Sequence, residues 1–202
     1  MDICGVYYRV YLATASITTT GADLAVYNKN MLQLSTNLLN RPVLSLRTGN
    51  PVAWVTAPII NPARLNIEGF YVTDSVDRSQ LILLYQDIRE LGAQGYIVDD
   101  HDVLAQPADL VRLQNVLALN FELMNKPIET VGHEKIGKVN DYAVETATMY
   151  IQKLYVGRSI WKSLTSGSLS IDRTQIVEVT NKRIIINNLL QGVPSVVPAT
   201  AA

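Results

Sequence analysis

The densest run of ionisable side chains in the sequence is Asp99-Asp100-His101-Asp102, and oxygen-rich clusters of this kind can hold Mg²⁺ or Ca²⁺. Adjacent residues of an extended segment point to opposite sides, however, so they do not converge on one ion. The matching place in the second half of the chain holds Asn187-Asn188, which shares turn-forming ability with Asp but not its charge. The run is therefore expected to be a turn that ends a strand, with no metal. A Ser-His-Asp or Cys-His catalyst needs a histidine held by a third group. The chain has two histidines, and the second, His133, lies in Gly132-His133-Glu134-Lys135, which reads as a turn. Asp141-Tyr142 with Glu145 has the composition of an acid–base pair, but an Asp after an apolar strand is expected at a turn or capping backbone N–H groups. No Gly-rich phosphate loop occurs. These residues give no catalytic, cofactor-binding or metal-binding set, and the chain is expected not to be an enzyme.

Aromatic side chains interleaved with cations could instead stack on bases or contact a protein. Lys153-Leu154-Tyr155 is one such stretch, but Tyr155 recurs as Tyr71 and is expected in the core. Arg158-Ser159-Ile160-Trp161-Lys162 is the other, and its Trp161 has no counterpart elsewhere in the chain. Trp161, flanked by Arg158 and Lys162, is the expected partner contact.

These candidates are carried by an internal repeat. Leu38-Leu39-Asn40-Arg41-Pro42-Val43 returns 85 positions later as Leu123-Met124-Asn125-Lys126-Pro127-Ile128. After a one-residue loop difference, Val52, Val55, Ile60, Leu65, Ile67, Tyr71 and Val72 fall opposite Ile136, Val139, Val144, Met149, Ile151, Tyr155 and Val156. A repeat of this length in 202 residues predicts two units of about 80 residues with two small cores rather than one large one.

The totals exclude several classes. Seventeen basic against eighteen acidic residues give no overall pull toward nucleic acid. The balance is uneven, though: residues 31–122 carry six Lys or Arg and ten Asp or Glu, net minus four, and residues 123–202 carry nine and six, net plus three. Cys4 is the single cysteine, which forbids an internal disulfide and fits a reducing compartment. No apolar run approaches the roughly 20 residues of a membrane span, so a cytoplasmic protein is expected.

Short apolar segments punctuated by Pro and Gly predict strands over about 52–60, 65–72, 81–91, 95–98, 176–179 and 184–186, with a turn at Thr48-Gly49-Asn50-Pro51. In the second strand Leu65 and Ile67 share one face while Phe70 and Val72 share the other; Met149 and Ile151 switch to Leu154 and Val156 in the same way. Side chains alternate with period two, so the switch implies a bulge near Gly69 and Lys153 or a strand passing between core surfaces. Residues 107–113 read as a short helix with Pro107 in its first turn. Leu117, Leu119, Phe121 and Leu123 alternate as a strand would. The connection, with Leu110, Val111, Leu113, Val116 and Leu117, is expected to pack between the two units. Residues 165–168 read as a longer loop, and Val6 to Leu12 has the composition of a strand.

These features predict an all-β protein: a weakly ordered extension over residues 1–30, barrels at 31–114 and 115–191 joined by a short helical connection, and a disordered tail at 192–202. The combination of Leu-(Met/Leu)-Asn-(Lys/Arg)-Pro-(Ile/Val), Ile136-Gly137-Lys138-Val139-Asn140-Asp141-Tyr142, a strand ending in Tyr-Val, and Ile176-Val177-Glu178-Val179 followed by Ile184-Ile185-Ile186 resembles the PRC-barrel domain. That domain occurs in the photosynthetic reaction-centre H subunit and in the C-terminal part of the ribosome maturation factor. The resemblance implies tandem PRC-like barrels whose motifs are structural, and a non-enzymatic interaction or scaffolding module binding a protein partner. An RNA-linked role in ribosome assembly or RNA processing is the alternative. The first copy departs from the pattern, with Ala53-Trp54-Val55 where the second has Gly137-Lys138-Val139.

Overall fold

The computed structural model describes residues 31–157 and 169–188. The expected extension over residues 1–30, the tail at 192–202, the loop at 165–168 and the contact set Arg158, Trp161 and Lys162 lie outside the described residues. The fold is mostly β, in two sheets of matching design. The first sheet holds β2 (Pro42–Ser45), β3 (Pro51–Asn61), β4 (Asn66–Asp74), β5 (Gln80–Leu84), β6 (Ile88–Leu91) and β7 (Tyr96–Val98), in the order β5-β4-β3-β2-β7-β6. The second holds β8 (Pro127–Thr130), β9 (Lys135–Glu145), β10 (Ile151–Gly157), β11 (Leu169–Asp172), β12 (Ile176–Val179) and β13 (Ile184–Ile186), in the order β11-β10-β9-β8-β13-β12. Adding six to each strand of the first order gives the second. In both, the pair joined across the long connection is parallel, β2 with β7 and β8 with β13.

The face switch in the sequence is a bulge. Opposite β3, Ile59 pairs with Gly69 and Ile60 with Ile67, leaving Glu68 as the extra residue; opposite β9, Gln152 is the extra residue between Ile151 and Lys153. The insertion resets the alternation, so Ile67, Phe70 and Val72 all bury on one side, as do Ile151, Leu154 and Val156. A second bulge recurs at Thr56 and Asn140. Thr56 donates its hydroxyl to the Tyr71 carbonyl at 3.0 Å, satisfying an acceptor at the interrupted ladder. Tyr71 and Tyr155 are half-buried on the other side of their strands, not in the core as expected, because the bulges place Phe70 and Leu154 inward.

Buried side chains of both sheets form one hydrophobic cluster rather than two separate cores. The halves meet directly. Ile67 N–H donates to the Met149 carbonyl at 2.8 Å and Ile151 N–H donates to the Leu65 carbonyl at 3.0 Å. Leu65 and Met149 are repeat partners, both buried, and both hold positive φ, 51° and 56°. Large side chains rarely adopt that backbone region, so the same local strain is retained twice at a place where the halves exchange main-chain bonds. Arg173 reinforces the junction from β11's end, donating to the carbonyls of Leu65 at 2.8 Å and Arg64 and stacking over Tyr150.

The connection differs from expectation in two ways. Residues 107–113 form 3-10 turns leading into a helix, α1 (Gln114–Leu119), which ends at Asn120 in the left-handed conformation. The Leu117 to Leu123 segment is thus not a strand. Leu113, Val116 and Leu117 follow the i, i+3, i+4 spacing of a helical stripe, and the apparent alternation is broken where Asn120 reverses the chain to bury Phe121 and Leu123. Nor does this stripe lie between the units: it covers Ile59 and Ile82 on the outer side of the first sheet. The chain before β2 instead crosses over, and β1 (Leu32–Leu34) adds antiparallel to β9.

Candidate functional site

The repeated motif is fully engaged in holding turns. Asn40 and Asn125 take positive φ, 56° and 61°, which Asn tolerates better than most residues. Their N–H groups donate to the carbonyls of Val55 and Val139, while the N–H groups of Val55 and Val139 donate back to the carbonyls of Arg41 and Lys126. Arg41 donates to the carbonyls of Gly92 and Ala93, and Lys126 to that of Asn181 at 2.6 Å. Each cation clamps the turn between the last two strands of its own sheet. Partial burial lowers the Lys126 pKa, and its ammonium lies 4.4 Å from the Phe121 ring centroid. Leu38 and Leu123 pin both motifs to the core, and Tyr96 donates its hydroxyl to the Leu38 carbonyl at 2.9 Å. Burial pushes the Tyr96 and Tyr142 hydroxyls well above the ordinary phenol range.

The acidic run ends β7 as expected, and its side chains diverge. Asp99 makes a two-point contact with Arg89 at 2.8 and 2.6 Å, which holds its carboxyl below the usual range. Asp100 pairs with Arg47 and accepts from Ser45 Oγ at 3.0 Å. His101 Nε2 contacts Asp74 Oδ2. Asp74 is only 4% exposed and also accepts from the N–H groups of Val76, at 2.6 Å, and Asp77. The contact with His101, then the Val76 N–H, hold the Asp74 carboxyl below its ordinary value. The run therefore braces the end of the first sheet, and among the described residues no group of three His, Cys, Asp or Glu side chains is arranged to hold one ion.

His133 is exposed on the β8–β9 turn with a positive φ of 64°. Asp141 lies within β9, after the bulge at Asn140, and not at a turn; its capping role is as expected. Its Oδ1 accepts from the Ser35 N–H and hydroxyl and from the Tyr142 N–H, tying β1 to the second sheet. Glu145 accepts from Thr148 and Gln152.

A more distinctive surface is the outer face of β2, β3 and β7. Val43, Ala53, Val55, Tyr96 and Val98 point inward and are buried, so Pro42, Leu44, Trp54 and Ile97 point outward by alternation. Pro42 stands opposite Trp54, and Leu44 beside Ile97. Trp54 is 43% exposed and Leu46, just beyond the strand, 67%. The equivalent positions of the second sheet are Pro127, Glu129, Lys138 and Ile185, with Arg183 bonded to Glu129 at 3.0 Å. The four named positions are all apolar in the first sheet, whereas in the second two of them carry charges of opposite sign, Glu129 and Lys138. The sequence expectation places the exposed tryptophan contact at Trp161 and gives Trp54 no role. The available signal was Trp54 standing between Ala53 and Val55, two inward positions, at the site where the other copy has Lys138.

The chain matches no protein-family model and no curated protein.

Proposed function

We propose that the chain is a non-enzymatic interaction or scaffolding module built from two PRC-like barrels, and that the outer face of the first, centred on Trp54, receives a protein partner. The observation that carries this reading is the contrast between Pro42, Leu44, Trp54 and Ile97 and their counterparts Pro127, Glu129, Lys138 and Ile185. A partly exposed tryptophan among aliphatic neighbours loses little entropy and much apolar surface when covered, which is why tryptophan anchors interfaces. The RNA-linked alternative is favoured by the exposed Lys135, Lys138 and Lys182 of the second half. Trp161 with Arg158 and Lys162 stays a second proposed contact, outside the described residues.

Affinity capture with and without nuclease separates the two readings when paired with a graft of the second face onto the first, Leu44→Glu with Trp54→Lys. Nuclease-resistant capture that the graft abolishes supports a protein partner at the first face. Capture that is nuclease-sensitive, indifferent to the graft and weakened by Lys135→Glu with Lys138→Glu favours RNA.

A further inference from the structure

Independently of the Trp54 face, the junction between the halves points to a second site. Asn66 pairs antiparallel with Tyr150, and the reciprocal bonds that join Ile67 to Met149 and Ile151 to Leu65 flank that pair. An antiparallel pair has a local two-fold axis, which here relates each repeat position to its counterpart in the other half. Leu65 answers to Met149, with the same positive φ, Asn66 to Tyr150, and Ile67 to Ile151. A group placed on one side of the axis therefore has an equivalent position on the other.

On one side a guanidinium fills a cradle of main-chain oxygens. Arg173 donates to the carbonyls of Arg64, Leu65 and Ile151, and its guanidinium lies 4.6 Å from the Tyr150 ring centroid. Arg173 opens the 3-10 turn before β12, and the equivalent turn before β6 opens with Tyr85. Rotation about the axis carries the Arg173 cradle onto the carbonyls of Thr148, Met149 and Ile67, with Asn66 in the place of Tyr150. The residue at the mouth of this second cradle is thus neutral and 39% exposed. Asn66 is only 5% exposed, and among the described residues its Oδ1 is a buried acceptor that meets no donor. Such an acceptor is costly to leave unmatched, and a guanidinium offers five N–H donors in a planar fork to match it. We infer that the second cradle binds the guanidinium of an arginine side chain presented to it from outside the described fold. That group donates to Asn66 Oδ1 and to the carbonyls of Thr148 and Met149, while the Tyr85 ring flanks it as Tyr150 flanks Arg173.

Titration of the full-length chain with N-acetyl-arginine amide, followed by NMR, tests the site. The Asn66 side-chain amide and the Ile67 backbone amide are expected to shift and to saturate at roughly millimolar analogue, the affinity that a few charge-assisted bonds support. N-acetyl-lysine amide is expected to bind at least about tenfold more weakly, because an ammonium lacks the planar fork. Tyr85→Arg supplies the guanidinium in cis, so it is expected to slow exchange of the Ile67 amide about tenfold and to remove the response to the analogue. Asn66→Ala deletes the acceptor while keeping Tyr85, and is expected to weaken the Ile67 response at least about tenfold. The Val43 and Ile128 amides, buried in each sheet, report an intact fold in both variants. The proposal is overturned if Asn66 and Ile67 do not shift, or if their shifts persist unchanged in Tyr85→Arg, which places the analogue elsewhere. An equal response to the lysine analogue also overturns it, since general charge attraction would then suffice.

Discussion

Two faces of one topology, β2-β3-β7 and β8-β9-β13, differ in a way that separates folding from function. Looking inward, the sheets are close to interchangeable: Val43 matches Ile128, Val55 matches Val139, and Tyr96 and Val98 match Ile184 and Ile186, all buried. Looking outward, Leu44 matches Glu129 and Trp54 matches Lys138. The inner residues are constrained by close packing, where even a methylene is felt. The outer residues answer only to solvent or to a partner. A duplicated design thus uses one copy as a control for the other: what recurs holds the fold, and what diverges on an exposed face is where a role is sought.

The largest test of this comparison lies in the core. Ile67→Ala and Ile151→Ala, at equivalent and fully buried positions, are each expected to lower stability by about 2–5 kcal/mol in urea unfolding. Similar losses in both sustain the equivalence. Because the two halves share one cluster, either variant is also expected to leave a single transition rather than two.

Smaller effects should come from features without a repeat. Asp74→Asn removes the negative acceptor for His101 and weakens the support of the Val76 and Asp77 N–H groups, at a cost of about 1–3 kcal/mol near neutral pH. Its sign with pH follows from the depressed carboxyl. A group held lower in the folded state than in the unfolded one adds stability above the unfolded value, about 3.9, and loses it as pH falls through the folded value. The gap between the wild type and Asp74→Asn should therefore close as pH falls below about 4, measured as urea midpoints from roughly pH 5 downward.

Arg173→Ala withdraws the guanidinium from the Leu65 and Arg64 carbonyls and from Tyr150, with an expected loss of about 1–2 kcal/mol. Its diagnostic is local. Exchange of the Ile67 and Ile151 amides, which form the reciprocal junction, should quicken more than that of Val43 or Ile128.

The graft Leu44→Glu with Trp54→Lys is expected to shift stability least, within about 0.5 kcal/mol, because both side chains face outward and the other sheet carries the same pair at the same sites. A midpoint shift several times larger would make Trp54 a structural residue and break the contrast between the faces.

Much of the architecture follows from local rules already present in the sequence. Period-two alternation, Pro and Gly punctuation and an 85-residue echo locate strands, and the parity switch at Ile67 to Phe70 implies a bulge or a strand passing between core surfaces, of which the structure has the bulge. Asn40 and Asn125 hold left-handed turns that the repeat alone does not announce, although Asn tolerates that backbone better than most residues. What the sequence could not decide depends on contacts between distant segments. Leu117 to Leu123 alternates like a strand, yet a helical stripe of Leu113, Val116 and Leu117 found Ile59 and Ile82 to cover, and tertiary packing overrode the local pattern. The joining of two expected cores into one, with the reciprocal main-chain bonds at Leu65 and Met149, is not written in either residue's type. Likewise Asp99, Asp100 and His101 read as a cluster only along the chain; in space Arg89, Arg47 and Asp74 draw them apart, because each charge is best stabilised by its own nearby partner.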